Sequence, residues 1–183
     1  MTKVVVVNGR PRAGKDSFIA ACEQHLGREG VSFASFSSID PIRDILSAAG
    51  VDVSEKTEAD RKLLAVMGDA LEEHSSYRTH RCIAEIMEFH HANGPESVFF
   101  LHIREPYNIR KVMRGIAQTR MGQNIEFTTI LIKSKRELAI NSNRADANVG
   151  EMAYDEVIHN DGTLGDLHIL AGQCVKNLLR RSA

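Results

Sequence analysis

Two kinds of apolar run alternate along the chain. Val4 to Val7 is a block of β-branched residues behind Lys3, and it reads as a strand buried on both faces, as in a parallel sheet. From Lys15 the period changes, and Phe18, Ile19, Cys22 and Leu26 fall on one helical stripe. Val31 to Phe36 predicts a second short strand. Pro41 then opens a helix carrying Ile42, Ile45 and Leu46, with Asp40 placed as its N-cap and Gly50 as its stop. Leu63, Leu64, Met67 and Leu71 mark a further amphipathic helix; Ile83, Ile86 and Met87 mark another, ended by Asn93-Gly94-Pro95. Val98 to Ile103 is a third buried strand, followed by a helix through Ile109, Val112, Met113 and Ile116. Phe127 to Ile132 predicts a fourth strand and Glu156 to His159 a short fifth, and the last helix lines Leu164, Leu167, Leu170, Cys174 and Leu178 along one face. Strands separated by helices imply right-handed parallel crossovers and a layered α/β fold with a sheet of about five parallel strands. With no repeat, low-complexity segment or Pro/Ser linker, residues 1–183 are expected to form a single domain.

Composition narrows the function classes. Hydrophobic residues at 43% and charged residues at 26% exclude a disordered or fibrous chain. Lys plus Arg is 23 against 24 for Asp plus Glu, so no basic surface is available to coat a nucleic acid, and any polyanion must be gripped locally. No stretch approaches a membrane span, and Met1-Thr2-Lys3 runs into a strand without a signal-peptide core, so a cytoplasmic protein with neither membrane nor nucleic-acid partner is expected. Cys22, Cys82 and Cys174 are odd in number and far apart, and read as reduced, small apolar side chains. The eight histidines show no zinc spacing; His90-His91 is expected to be exposed at a helix end, and His159 to be a strand-end histidine. Met67, Met87 and Met113 lie on helical stripes and read as core filling, and no Gly-x-Ser-x-Gly or Cys/His pair suggests covalent catalysis.

One segment carries specific chemistry. Between the first strand and the first helix lies Gly9-Arg10-Pro11-Arg12-Ala13-Gly14-Lys15-Asp16-Ser17, a G-x4-G-K in the strand–turn–helix context of the phosphate-binding P-loop. Gly9 and Gly14 let the backbone wrap closely round an anion, with N–H groups turned inward. The helix N-terminus adds partial positive charge, and Lys15 reaches the outer phosphates as a compact point charge. The competing reading is a glycine turn with a solvated lysine. After the lysine, Asp16 stands where Ser or Thr usually ligates magnesium, with Ser17 next; a carboxylate is also a hard oxygen ligand, so both are candidate metal ligands.

The Gly-Lys-Asp ending resembles the P-loop of phage-type deoxynucleoside monophosphate kinases and of animal-type phosphomevalonate kinases. Tyr154 to Leu167 (YDEVIHNDGTLGDL) looks like the final strand and following loop of small-molecule P-loop kinases, where the Asn-Asp-Gly-Thr-Leu stretch borders the adenine pocket. Asp146 to Glu151 is similar to the Asp-x-x-Val/Ile-Ser-Glu lid of the monophosphate kinases, with Gly150 where serine is frequent. Ser38 to Arg43 falls at an Asp-Pro-Leu-Lys-like acceptor entry, and Asp60 to Leu64 followed by Gly68-Asp69 resembles an Arg-x-Leu-Leu-x-x-x-Gly helix. The resemblance implies a three-layer, nucleoside monophosphate kinase-like P-loop fold, with an acceptor-binding helical region over about 38–95 and a lid over about 133–153. The implied activity is phosphoryl transfer from ATP, with Mg2+, to a small phosphorylated acceptor, foremost a nucleoside or deoxynucleoside monophosphate. Phosphomevalonate, dephospho-coenzyme A or a non-catalytic ATP sensor are the other readings. A homodimer is compatible with it.

The implied nucleotide ligands are Gly9, Arg12, Ala13, Gly14, Lys15, Asp16 and Ser17, with Asn160, Gly162 and Thr163 at the adenine side. Phosphoryl transfer also needs cations on segments remote from the loop. Arg43 and Arg61, with Asp40, are the candidates for the acceptor, because guanidinium grips phosphate bidentately; Lys56 and Lys62 fit solvated helix faces. Arg104 follows the third strand, whose carboxyl end faces the crevice, and is a candidate for both acceptor and transition state. Lys133, Lys135, Arg136 and Arg144 cluster after the fourth strand, and Arg136 and Arg144 are expected to close over the transferred group beside Lys15. His102 stands where an Asp is usual for magnesium, leaving Glu105 or Asp16 to supply a carboxylate.

Overall fold

A computed structural model describes residues 1–55, 57–136 and 148–180 of the chain. In chain order these form β1 (Thr2–Asn8), α1 (Lys15–Arg28), β2 (Phe33–Ser37), α2 (Asp40–Ala48), α3 (Glu58–Ser75), α4 (Tyr77–Asn93), β3 (Val98–His102) and α5 (Pro106–Ala117). A short 3-10 turn (Gly122–Asn124) precedes β4 (Ile125–Lys133), a second (Asn148–Glu151) precedes β5 (Glu156–His159), and α6 (Leu164–Arg180) closes the described chain. The five strands make one parallel sheet in the order β2-β3-β1-β4-β5.

The central place of β1 accounts for its composition. Successive strand residues point to opposite faces, so a strand covered on both sides has no polar positions to offer. Val5 and Val7 pack with Phe18, Cys22 and Leu26 of α1 and with Leu167, Cys174 and Val175 of α6. Val4 and Val6 pack on the other face with Cys82 and Ile86 of α4 and Ile109, Val112 and Ile116 of α5. Phe99 and Phe100 of β3 divide between the two cores in the same way. A third cluster of Ile42, Leu46, Val53 and Leu64 joins α2 to α3. Among the described residues, no helix is long and apolar enough to cross a membrane.

Three local expectations are corrected, and the start of α3 is added. Strand β2 begins at Phe33, because Gly30 turns left-handed (φ 68°) and the Val31 amide donates back to the Leu26 carbonyl at 3.1 Å, ending α1. Asp40 is not the N-cap of α2: Ile39 is, and Asp40 stands inside the helix, where its carboxylate accepts from the Ser37 amide (3.1 Å) and from Arg43 (2.8 Å). Helix α3 starts at a Thr57–Asp60 capping box, five residues ahead of the apolar stripe that marks it in the sequence. His90 is buried, 2.6 Å from the Thr2 hydroxyl, joining the end of α4 to the start of β1. The three cysteines are free and buried as expected, and burial pushes the Cys82 thiol up to about 12, leaving it unreactive.

Candidate active site

Beyond the last valine of β1, the chain must turn out of the sheet, and a buried asparagine manages the exit. The Asn8 carboxamide oxygen accepts from the Gly9 amide (2.8 Å), while its nitrogen donates to the Arg104 carbonyl (2.9 Å) and the Tyr154 hydroxyl (2.8 Å). Tyr154 in turn donates to the Val149 carbonyl at 2.9 Å. One side chain thus fixes the start of the loop, the segment after β3 and the turn before β5.

The loop itself has the geometry that its glycines permit. Gly9 has φ 149° and Gly14 φ 93°, and Arg12 is also left-handed at φ 66°. Gly14 caps α1 without a side chain, so the first-turn amides are left to an outside acceptor. Lys15 folds over the loop, its ammonium donating to the Gly9 carbonyl (2.7 Å) and the Arg10 carbonyl (3.0 Å). An ammonium folded back over a glycine-bearing turn at an uncapped helix N-terminus suits a polyphosphate chain.

The sequence-predicted adenine-side residues have partners within the chain. Asn160 is buried and its carboxamide donates to the Ala13 carbonyl at 2.9 Å, so it positions the loop from the end of β5. Thr163 and Asp166 form a capping box for α6, the Asp166 carboxylate accepting from the Thr163 amide (2.7 Å) and hydroxyl (2.8 Å), and Gly162 packs against that same carboxylate. Replacing Asn160 by Ala strands the Ala13 carbonyl in a dry site; we expect a loss of about 1–3 kcal/mol by chemical denaturation, with weakened triphosphate binding by calorimetry.

Arg136 also departs from expectation. It does not line the cleft; its guanidinium donates to the Asn160 (2.9 Å) and Gly162 (3.2 Å) carbonyls and so braces the β5–α6 connection. A cation after β4 in sequence meets β5 first, because the two strands are neighbours. Arg144 and Lys56 lie outside the described residues, as does most of the predicted lid.

From the loop a cleft of about 1370 Å³ opens toward α2, α3 and α5. Arg12, Lys15, Asp16 and Ser17 line it, together with Asp40, Arg43, Arg61 and Arg104, the residues expected from the sequence to meet an acceptor. Arg43 is already paired with Asp40, both about 40% exposed, whereas Arg61 is exposed on α3. His102, at the end of β3, presents Nδ1 to the Asp16 carboxylate at 3.9 Å. Burial lowers the His102 pKa against the pull of Asp16 and Asp40, so the ring is neutral at pH 7. The Asp16 side chain is 88% exposed and Ser17 lies beside it in the first turn of α1. A carboxylate and a hydroxyl held open to the cleft suit a hard cation whose remaining ligands come from phosphate and water. The described residues contain no cluster of three or more His, Cys, Asp or Glu that would hold a metal by itself.

The far wall was not foreseen. Arg78 of α4 is 5% exposed and bridges Asp69 of α3 (3.0 Å) and Glu105 (3.4 Å). Gly68 leaves room for it, since a Cβ there would stand 3.3 Å from the guanidinium. Beside it Glu72 accepts from Lys111 (2.6 Å) and from the Thr79 hydroxyl (2.6 Å) and amide (3.1 Å). The sequence did hold a signal: Arg78, Cys82, Ile86 and His90 recur at four-residue spacing on the buried stripe of α4.

Burial by itself would raise the Glu72 carboxyl, but the donors from Lys111 and Thr79 and the Lys111 charge outweigh it and hold the group below its ordinary 4.5. The stability contributed by that depression is present above about pH 4.5 and disappears as pH falls through the lowered value. Glu72→Gln is therefore expected to cost about 2 kcal/mol near neutral pH, with the gap to wild type closing below pH ~4.5 in urea melts.

No family model matches the chain, and no curated protein matches it. Solved structures do. The APS kinase CysC of Mycobacterium tuberculosis, in complex with AMPPNP and APS, superposes with a TM-score of 0.55 at 16% identity, covering 98% of this chain and 98% of that one. A protein designated APE1195 superposes with a TM-score of 0.54 at 17% identity, covering 97% of each chain. At these identities what is shared is the fold: a layered α/β architecture on a parallel five-stranded sheet, with the loop after β1 at its carboxyl edge.

Proposed function

We propose that the protein is an ATP-dependent phosphotransferase whose acceptor is a small phosphorylated metabolite, most closely a nucleoside or deoxynucleoside monophosphate. The observation that carries this reading is Lys15, held above the Gly9–Gly14 loop in a cleft that Arg43, Arg61 and Arg104 also line. A solved structure of similar fold holds AMPPNP, which supports ATP as the donor.

In this reading the amides of residues 9–17 and Lys15 hold the donor phosphates, and the arginines hold the acceptor in line. An acceptor oxygen forms a bond to the γ-phosphorus as the bond to the β-bridging oxygen breaks, and ADP leaves with that electron pair. An acceptor phosphate oxygen is already ionised, so no general base is needed; positioning and charge neutralisation supply the rate. Asp16 and Ser17 would hold Mg2+, which when bound neutralises charge on the phosphate chain. Neutral His102 adds no charge there, and this is the observation that favours a second reading, an ATP-binding sensor without transfer activity.

A coupled ADP-release assay over a panel of ribo- and deoxynucleoside monophosphates, phosphomevalonate and dephospho-coenzyme A separates these. Turnover on one monophosphate supports the first reading. Turnover confined to another panel member corrects the acceptor, and silence with intact ATP binding replaces the kinase by the sensor.

A further inference from the structure

We infer that His102 is a direct ligand, through Nδ1, of the divalent cation that accompanies the nucleotide, and that the site therefore takes Mn2+ in preference to Mg2+. The inference rests on the ATP reading above and deepens it. In phosphate-binding loops of this kind the cation is held from the first turn of the following helix and from the end of a neighbouring strand. Here those two positions are Asp16 and His102, on α1 and at the end of β3, and β3 is hydrogen-bonded to β1. Their side chains face each other, Nδ1 to Oδ1 at 3.9 Å. Two atoms bonded to one octahedral cation at ~2.1 Å lie about 3 Å apart when adjacent and about 4.2 Å apart when opposite; from 3.9 Å the pair must close by about 1 Å to share an ion as neighbours, a movement the exposed Asp16 side chain permits. Among the described residues the contact between them is the only polar contact of either side chain, so both are available.

The donor types then decide the metal. Mg2+ takes oxygen ligands and keeps its waters, whereas first-row transition ions accept imidazole readily. Mn2+ shares the octahedral, oxygen-rich preference that the phosphates impose and tolerates one nitrogen. His102 is the only histidine lining the cleft among the described residues, so a nitrogen bound to the cation has one candidate source among the described imidazoles.

The test uses the full chain with Mn2+ and AMPPCP, whose phosphate chain contains no nitrogen. Calorimetry first measures nucleotide binding with and without metal; pulsed electron paramagnetic resonance then reads any nitrogen bonded to Mn2+. The expected result is a 14N modulation that becomes a 15N signal on biosynthetic labelling of histidine. His102→Asp should abolish it and lower the ratio of Mn2+ to Mg2+ affinity about tenfold. The histidine-labelled wild type keeps the result readable if that variant does not fold. A bound Mn2+–nucleotide complex without nitrogen coupling, or with coupling that persists in His102→Asp, overturns the inference and leaves the ATP reading standing. Absence of nucleotide binding in calorimetry overturns both.

Discussion

Lys15→Ala is expected to lower phosphotransfer by about 10²–10³-fold, the usual effect of deleting one preorganised charge at a developing anionic centre. The same variant should weaken ATP binding while leaving folding nearly untouched. Lys15 donates to the Gly9 and Arg10 carbonyls at the rim of the cleft, where water can take its place. Calorimetry with ATP and a urea melt on one preparation read the two effects separately. Unchanged ATP affinity in a folded variant would remove the phosphate loop from the functional site altogether.

Gly9→Ala is expected to act on the fold first. At φ 149° an L-residue is strained, and the added Cβ would meet the Ile132 carbonyl oxygen of β4, a backbone atom inside the sheet that has no rotamer to change. Strain and overpacking together should cost about 2–4 kcal/mol, which is a fall in Tm of roughly 5–15 °C for a chain of this size. Gly14→Ala makes the instructive contrast. Its Cβ would meet the amide nitrogen of Asn160, the tip of a side chain that can swing away. Gly14 is left-handed as well (φ 93°), and that swing also gives up the bond to Ala13, so Gly14→Ala should lose triphosphate affinity in addition to stability. Unchanged triphosphate affinity in a folded Gly14→Ala would contradict this.

The two glycines explain why the turn after β1 could be read from the chain while much of its surroundings could not. A turn that must leave a buried strand and enter a helix within a few residues leaves local marks: a valine block, spaced glycines, a lysine at the helix start. The five strands and six helices of the described residues were likewise legible, because each repeats its period over several residues. Less legible were the contacts that depend on which strands become neighbours. Arg136 resembled a lid cation, yet the β4–β5 pairing sets it on the carbonyls after β5. Asn160 was assigned to the nucleotide, but the approach of β5 to the loop turns its carboxamide to Ala13. Asp40 precedes a proline and so resembled a cap, until its partners proved to be Ser37 and Arg43. Arg78 left no local mark of its role, because its partners Asp69 and Glu105 come from separate segments.

Asn8 binds three stretches of chain that are far apart in the sequence, through a single carboxamide with one acceptor and two donors. Neither aspartate nor leucine can reproduce that valence: the first lacks the donors, the second everything polar. Mutational drift in the loop after β1 is thereby yoked to the segment after β3 and to the turn before β5. Relatives that diverge at Tyr154 or in the backbone beside Arg104 should carry a compensating change at the tip of the first strand.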